Sequence, residues 1–314
     1  MDAAPDRAET GGLRAAVLAA GELPLPGAGA TAERLAGLGA LGAADLAVAR
    51  LAEGHADAVA ILAEAGRRPE PGCAYGVWAS VAPEGDVTAA WRRGEVVLSG
   101  TKPFCSGAAL CDRALVRCGD LLVDVDLRAG GAVPVPGTWP AVGMAASDSR
   151  SVRFEGLVTA ADAVVGPPGW YLRRPGFWHG GVGVAAVWAG GARGVVAATT
   201  RWLGASTGEA ELAALGTAVA ALAGADALID AAARAIDAAP TDPDIARRLA
   251  LVTRHGVHAA AVEVLRSAAA AGGARPLCLD GEGAQRAADL WAYLAQHHPG
   301  RDAARLGRAW LEAS

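Results

Sequence analysis

The spacing of hydrophobic and polar residues changes twice along the chain. Between residues 43 and 66 apolar side chains such as Leu46, Leu51 and Leu62 recur at helical spacing, which predicts an amphipathic helix. From Ala74 onward the chain switches to short runs rich in β-branched residues and separated by Gly, Asp or Pro turns, a pattern typical of an antiparallel sheet. Helical spacing then returns in long stretches and a tail helix, at about 180–203, 208–237, 242–271, 284–297 and from Arg301.

This order of helices, strands and helices predicts an α+β fold with segregated layers. The first 30 or so residues are rich in Pro, Gly and Ala and are predicted to be irregular. A helix starting at Ala32 is expected to break at Gly37 and Gly39. The chain is therefore expected to contain an N-terminal helical segment, a small antiparallel β-domain and a C-terminal four-helix bundle, at residues 1–70, 71–167 and 168–314.

Charge and cysteine content narrow the classes of partner and compartment. A formal net charge of −5 over 314 residues gives no basic surface, which argues against nucleic acid and membrane as partners. The five cysteines form no Cys-x-x-Cys pair, which argues against a disulfide framework or structural zinc and favours a reducing compartment. The N-terminal sequence lacks a signal-peptide pattern. The apolar run 180–198 contains Arg193 and is expected to be a buried helix, so the protein is expected to be cytoplasmic.

The most informative segment is a corner between two predicted strands, Leu98–Gly107, which contains Lys-Pro-Phe-Cys-Ser-Gly. This segment resembles the flavin-contacting strand corner of the acyl-CoA dehydrogenase superfamily. Further segments resemble other parts of the same family in the same order: the first flavin-contacting strand, a β-strand pair and the first helix of the C-terminal bundle, at Cys73–Val77, Gly143–Arg150 with Val152–Glu155, and Val184–Thr200. The resemblance extends over about residues 45 to 305 and rests on the order of the motifs.

The resemblance implies an acyl-CoA dehydrogenase-like fold with a truncated N-terminal helical segment, bound FAD, and a homodimer or homotetramer formed through the bundle. In the corner, the Ser106 hydroxyl would meet flavin N5, Phe104 would cover a ring face, and Cys105 would lie beside them as packing. Exposed backbone amides would hold the ring's carbonyl oxygens, and Gly107 would permit close approach. Ser149 is expected to be uninvolved. The alternative is an ordinary β-turn with a buried aromatic residue.

Two departures from the family's flavin-gripping motifs bear on the cofactor. The family's Leu-Thr-Glu-Pro…Gly-Ser-Asp segment corresponds here to Val77–Ser80 followed by Pro83–Asp86, with Trp78 in place of the threonine. An indole at that place would stack on the flavin or crowd it. Arg201 is a partial counterpart of the family's pyrophosphate-binding arginine and would pair with a phosphate of a neighbouring subunit's FAD. The alternative is a solvated arginine at a helix C-terminus.

The dehydrogenases of this family need a carboxylate to remove a substrate proton, but counting from the Ala288-Asp289 pair leads to His297. Glu282 and Asp280 are the remaining acidic candidates. A histidine at this position resembles the flavin monooxygenase branch, in which a C-terminal histidine and a serine beside flavin N5 assist oxygenation; His297 and Ser106 would form that pair. The alternative is a histidine pair that ends a helix.

No metal site is expected. His255 and His258 are spaced to share one helix face and could join His297, but no Glu-x-x-His motif accompanies them. They are therefore expected to be helix-surface residues.

Three functions remain open at this stage. The first is an FAD-dependent oxidoreductase that acts on the CH–CH group of an acyl thioester or related small substrate. The second is a monooxygenase that uses reduced flavin from a reductase partner. The third is a non-catalytic relative that serves as a binding or assembly subunit.

Overall fold

The computed structural model describes residues 7–81 and 85–312. The helices of this part of the chain are α1 (Arg7–Ala19), α2 (Thr31–Ala44), α3 (Leu46–Glu64), α4 (Trp170–Arg173), α5 (Pro175–Thr200), α6 (Glu209–Ala238), α7 (Pro243–Gly272), α8 (Arg275–Cys278), α9 (Gly281–Leu294) and α10 (Pro299–Glu312). The strands are β1 (Tyr75–Trp78), β2 (Val87–Arg92), β3 (Glu95–Lys102), β4 (Arg113–Cys118), β5 (Leu121–Asp126), β6 (Ala132–Pro134) and β7 (Val152–Ala160).

These elements form two compact units. The first contains the described residues through Leu23 and those of Arg50–Ala141 and Ala145–Phe177. The second contains Pro24–Ala49, Val142–Met144 and the described residues from Trp178 onward. All the strands belong to the first unit, and the long C-terminal helices belong to the second. The segregation of strands and helices agrees with the predicted α+β class.

The strands form two small sheets, in the orders β1-β4-β5 and β2-β3-β7-β6. All pairs are antiparallel except β1 with β4, which run parallel. The sequence analysis predicts an antiparallel β-domain throughout, so this pair is a local difference. It is possible because the β2–β3 hairpin separates β1 from β4 along the chain, and parallel neighbours need such a long connection.

The core of this unit is formed by the inward positions of the strands. Along β3, Val96, Leu98 and Lys102 are buried, with mostly exposed or half-buried residues between them, as expected of a strand with one face on a core. Val96 and Leu98 pack with Trp78, Phe154 and neighbouring apolar residues, and the buried Lys102 pairs with Asp86. The end of β3 at Lys102 is therefore anchored before the chain enters the corner.

The irregular structure predicted for the first 30 or so residues is wrong for Arg7–Ala19, which form α1. Residues 23–30 contain no helix or strand, and residues 1–6 lie outside the described part of the chain. The sequence Gly11-Gly12 inside α1 disfavours a helix locally. Leu13 and Val17, however, pack in a cluster with Leu51 and Ala74. Burial of these side chains compensates for the weak helix propensity, since each fully buried apolar side chain contributes about 1.5–3 kcal/mol.

Helix α2 is also continuous, contrary to the predicted break at Gly37 and Gly39. The glycines allow it to pack closely on α5. A Cβ at Gly190 would lie 2.1 Å from the carbonyl oxygen of Gly39, and one at Gly42 would lie 2.4 Å from that of Val187. These glycines disfavour a helix locally, but they let the backbones of α2 and α5 come into contact, which larger residues would prevent.

Within residues 7–81 and 85–312, two helices are long and apolar enough to cross a membrane by length and composition, α5 and α6. In α5 72% of the most apolar window is buried within the protein, which is typical of a core helix of a soluble protein and agrees with the prediction for residues 180–198. In α6 the corresponding share is 17%. Its apolar surface is therefore largely uncovered in this chain.

Candidate functional site

The corner after β3 combines an exposed aromatic ring with an unusual backbone. Phe104 is 57% exposed and has φ of +58°, a left-handed conformation that is uncommon for residues other than glycine and costs about 1 kcal/mol or more. Its ring meets Trp139 edge to face, with 6.5 Å between ring centroids. The corner therefore holds a large apolar ring at the surface in a conformation that the surrounding structure must enforce.

Most backbone amides of this corner are already bonded. The amide of Cys105 donates to the carbonyl of Arg150, and those of Gly107 and Ala108 donate to the carbonyls of Ser147 and Asp148. The predicted row of exposed amides is therefore wrong at these positions. The amides of Phe104 and Ser106 have no hydrogen-bond partner among the described residues.

Gly107 has a structural explanation that differs from the predicted one. Its φ is +71°, and an added Cβ would lie 2.9 Å from the Cys111 sulfur and 3.1 Å from a Leu51 methyl carbon. Glycine is therefore required by its own backbone and by the packing behind it. Close approach of a ligand is not needed to explain it.

The Ser106 hydroxyl belongs to a row of three buried hydroxyls. Its Oγ lies 2.8 Å from the Oγ of Ser149, which lies 2.8 Å from the Oγ of Ser147. All three serines are at most 8% exposed. Ser149 therefore contacts Ser106 directly, which the expectation that it is uninvolved did not include.

Two buried groups hold the corner in place from below. The Trp78 indole is 1% exposed and donates from Nε1 to the Ser106 carbonyl at 3.0 Å. The fully buried ammonium of Lys102 pairs with the carboxylate of Asp86. Trp78 thus supports the corner from the core and does not present an open face for stacking. Pro83 and Glu84 of the flavin-gripping segment lie outside the described residues.

Cys105 is packing, as predicted. It is fully buried, and its thiol donates to the Lys102 carbonyl at 3.2 Å. Burial raises the pKa of the Cys105 thiol well above its usual range. The thiol therefore stays protonated and is not a nucleophile.

In the second unit, which contains the long C-terminal helices, His297 lies inside a cluster of aromatic and imidazole rings. Its ring centroid is 4.7 Å from that of His258, 5.8 Å from that of His255 and 6.0 Å from that of Trp188. The His297 side chain is fully buried, whereas His298 beside it is exposed. Both histidines follow the end of α9 at Leu294, as the helix-end alternative expects, but only His297 is buried. His255 and His258 face His297 and so are not ordinary surface residues.

The surroundings keep His297 neutral. Burial, followed by the neighbouring His258 and Arg254, lowers the pKa of His297 to about 4. The carboxylate of Asp302 lies 3.4 Å from Nδ1. A neutral imidazole has a lone pair on one of its ring nitrogens, and that lone pair can accept a proton. Neither ring nitrogen has a hydrogen-bond partner among the described residues.

The histidine cluster does not form a metal site. No group of three or more His, Cys, Asp or Glu side chains within residues 7–81 and 85–312 has a geometry that could hold a metal ion. Arg254 lies 4.6 Å above the Trp188 ring in the same cluster, and a fixed positive charge there disfavours a cation.

The acidic candidates lie on the surface of the helical unit. Glu282 is 57% exposed and pairs with Arg201 at 3.3 Å and with Arg286 at 2.9 Å. Asp280 accepts hydrogen bonds from the Gly283 amide and the Trp202 indole, and these bonds lower the pKa of Asp280. It therefore acts as the N-cap of α9. Neither carboxylate is placed to act as a buried base.

Arg201 follows the end of α5 and is about half exposed. It already pairs with the carboxylates of Asp280 and Glu282, each at 3.3 Å. The structure therefore gives it a partner within its own unit. The pairing of Arg201 with a phosphate of a neighbouring subunit stays a prediction.

Two sets of neighbours were not predicted from the sequence: Ser147 and Ser149 beside Ser106, and Asp302 beside His297. A signal existed for the serines, since both lie in the Gly143–Arg150 segment that resembles a family motif. Nothing in the sequence showed which of its hydroxyls faces the corner, because that depends on how the loop pairs with residues 105–108.

No protein-family model and no curated protein matches the chain. Solved structures do match it along nearly its whole length. TdsC from Paenibacillus sp. A11-2, a dibenzothiophene monooxygenase also solved in complex with FMN and indole, is similar at 19% identity with a TM-score of 0.81, over 98% of this chain and 91% of TdsC. The methanesulfinate monooxygenase MsuC from Pseudomonas fluorescens gives the same identity and TM-score, over 98% of this chain and 90% of MsuC.

Butyryl-CoA dehydrogenase from Megasphaera elsdenii is similar at 13% identity with a TM-score of 0.76, over 99% of this chain and 100% of the dehydrogenase. The same architecture thus occurs in oxygenating and in dehydrogenating enzymes. Identities this low establish the architecture and leave the activity open. The resemblance found in the sequence is confirmed at the level of structure, and the chain has the acyl-CoA dehydrogenase-like fold.

Proposed function

We propose that this protein is a flavin-dependent monooxygenase. The observation that carries the proposal is His297, a buried and neutral imidazole at the position where the resemblance expects the base of a dehydrogenase. Glu282, one of the two acidic candidates, is exposed and paired with two arginines. Two similar structures, TdsC and MsuC, are monooxygenases by name.

The corner after β3 fits a flavin. It offers the Ser106 hydroxyl, the unpartnered amides of Phe104 and Ser106, and the exposed Phe104 ring held in a strained backbone. These are the donor and apolar groups that a tricyclic ring with carbonyl and imine edges requires. Bound reduced flavin would supply the two electrons that reduce O₂, so that one oxygen atom enters the substrate and the other leaves as water.

The protein's own residues would orient the reactants and handle protons. Ser106 would donate to or accept from flavin N5, and Phe104 would cover the ring. The unprotonated ring nitrogen of His297 would accept a proton from the substrate, with the carboxylate of Asp302 3.4 Å from Nδ1. Its pKa of about 4 keeps the imidazole unprotonated near neutral pH.

We further propose FAD as the cofactor, a small-molecule substrate, a cytoplasmic location, a reductase partner that supplies reduced flavin, and a homodimer or homotetramer. FMN is the competing cofactor, since TdsC was crystallised with it. Titration of the purified protein with FAD and FMN, each oxidised and reduced, distinguishes the two. Failure to bind any of the four would contradict the flavin function and leave the non-catalytic alternative.

Dehydrogenation is the second candidate because of the likeness to butyryl-CoA dehydrogenase. The two activities are separated by loading the protein with reduced flavin and adding isotopically labelled O₂ with indole, dibenzothiophene or methanesulfinate. Label in an organic product supports oxygenation. Bleaching of oxidised flavin by butyryl-CoA without oxygen would instead establish dehydrogenation.

Ser106 provides a direct test of the corner. Replacing Ser106 by Ala removes the hydroxyl predicted to contact N5, and we expect a shifted flavin spectrum and an affinity lower by roughly fivefold, since a hydrogen bond contributes about 1 kcal/mol. Ser99→Ala is the matched control, because Ser99 is exposed on β3. Equal spectra and affinities for both variants would count against the corner as the flavin site.

A further inference from the structure

The hydroxyls of Ser106, Ser149 and Ser147 form a continuous row within the first unit, with 2.8 Å between each pair of neighbouring oxygens. At these distances each pair shares one hydrogen, and either oxygen of a pair can be its donor. The backbone around the row is fixed. The Ser106 carbonyl accepts from the Trp78 indole, and the Gly107 amide donates to the Ser147 carbonyl.

We propose that this hydroxyl row reverses its hydrogen-bond direction when flavin at the corner changes its oxidation state, which makes Ser149 a positioning residue for Ser106. The proposal rests on the flavin function proposed above. Oxidised flavin has a lone pair on N5 and needs a donor. Flavin reduced by two electrons carries a hydrogen on N5 and needs an acceptor.

A row of hydroxyls can satisfy both states. With oxidised flavin, Ser147 would donate to Ser149, Ser149 to Ser106, and Ser106 to N5. With reduced flavin, Ser106 would accept a hydrogen bond from N5 and donate one to Ser149, and Ser149 would donate one to Ser147. Each hydroxyl has one hydrogen and two lone pairs, so no atom needs to move for the reversal beyond rotation of the hydrogens.

Removal of the Ser149 hydroxyl should affect the binding of oxidised flavin and of reduced flavin unequally. With oxidised flavin, Ser106 can still donate to N5 and loses only an optional donor to its own oxygen. With reduced flavin, Ser106 must accept from N5, and its own hydrogen then lacks the neighbouring acceptor. A buried donor without an acceptor is costly, whereas an oxygen with one unfilled lone pair is tolerated more easily. Reduced flavin is therefore the form that should lose affinity.

The test measures the affinity of the protein for oxidised and for reduced flavin, using FAD and FMN without oxygen. For Ser149→Ala we expect the dissociation constant of reduced flavin to rise roughly tenfold and that of oxidised flavin to change much less. A tenfold difference between the two forms lowers the two-electron reduction potential of bound flavin by about 30 mV. Ser149→Thr, which keeps the hydroxyl, should restore wild-type values.

Two further variants test whether the three hydroxyls act as one row. Ser147→Ala should change the affinities in the same direction, and it serves as the test if Ser149→Ala fails to fold. The double variant should match Ser149→Ala, because the row is already interrupted. Ser99→Ala should leave both affinities unchanged.

The proposal and the flavin function fail in distinguishable ways. If the wild-type protein binds neither form of flavin, the proposed function fails and this inference fails with it. If the wild-type protein binds flavin but Ser149→Ala weakens both forms equally, or neither, the reversal is wrong and the flavin function stands.

Discussion

A histidine becomes a plausible base here because of what surrounds it. In water its imidazole would be half protonated near pH 6.5, but burial and the neighbouring His258 lower the pKa of His297 to about 4. The exposed His298 has no such surroundings. Adjacent residues of this type thus differ in chemistry because only one of them enters the ring cluster.

The first prediction separates the two histidines by activity. Replacing His297 by Gln should lower turnover about 10²–10⁴-fold, because general acid–base groups typically contribute that much, while flavin affinity stays near that of the wild-type protein. His298→Gln should leave turnover unchanged. Turnover is followed as oxygenated product formed by the flavin-loaded enzyme. If His297→Gln retains full turnover, the proton acceptor lies elsewhere.

The second prediction concerns stability at acidic pH. The pKa of His297 is lower in the folded protein than its ordinary value of 6.5. Between about pH 6.5 and 4, His297 is therefore protonated in the unfolded chain and neutral in the folded chain. The free energy of unfolding should therefore fall as the pH drops through this range. His297 contributes about 2 kcal/mol to that loss after allowance for solvent screening.

Urea unfolding at about pH 7 and about pH 5 measures this loss. His297→Gln should show a smaller loss between the two pH values than the wild-type protein does. His258, His255, Arg254 and Asp302 surround the ring, and the variant retains their contributions. An identical pH dependence in both proteins would show that His297 is not the titrating group.

At the scale of elements, close backbone contact explains why glycines occur within the helices α2 and α5. Glycine in an exposed helix interior costs about 1 kcal/mol relative to alanine. At Gly190 an alanine methyl would lie 2.1 Å from the Gly39 carbonyl oxygen, a separation that no relaxation of side chains alone can relieve. The same contact keeps α2 helical through glycines that by themselves favour a break.

The third prediction is that the same substitution, glycine to alanine, lowers the stability of the protein at one helix position and raises it at another. Gly190→Ala should destabilise the protein by about 1–3 kcal/mol, as overpacking does. Gly307→Ala in α10, where nothing lies within 4 Å of the added methyl, should stabilise it by up to about 1 kcal/mol. Urea unfolding of both variants checks the signs. A stabilised Gly190→Ala protein would refute the close packing of α2 on α5.

At the scale of the whole molecule, α6 leaves much of its apolar surface uncovered. Only 17% of its apolar window is buried, and Val219 on it is 51% exposed. One face presents exposed small residues, namely Gly216, Ala220, Ala223 and Ala227. A second helix can approach such a face closely, so we expect a further copy of the chain to cover it, as the predicted homodimer or homotetramer requires.

The fourth prediction tests this assembly. Ala220→Glu should shift the protein toward monomer, because a carboxylate would be buried without a partner in the contact. Ala304→Glu on the exposed surface of α10 is the control and should leave the oligomeric state unchanged. Sedimentation or light scattering measures the mass of each. A wild-type protein that is already monomeric would refute the prediction.

Much of the fold follows from the sequence, and the α+β class and its likeness to acyl-CoA dehydrogenases are confirmed. The period of the hydrophobic pattern is a local property, so the strands from Tyr75 to Ala160 and the helices that follow agree closely with prediction. The elements that differ are α1 and α2. Both contain glycines that disfavour helices locally, and both are stabilised by residues far away in the chain.

Some features of the candidate site likewise follow from the sequence, whereas others depend on the tertiary structure. The sequence determined which residue types are available: a serine at the corner after β3, the histidine pair His297-His298, and cysteines without a disulfide pattern. Only the tertiary structure decided that Ser149 bonds to Ser106, that His297 is buried while His298 is exposed, and that Glu282 is paired with arginines. The reason is physical: residue type sets which hydrogen bonds and charges are possible, whereas burial and long-range neighbours set which of them form and which protonation state is stable.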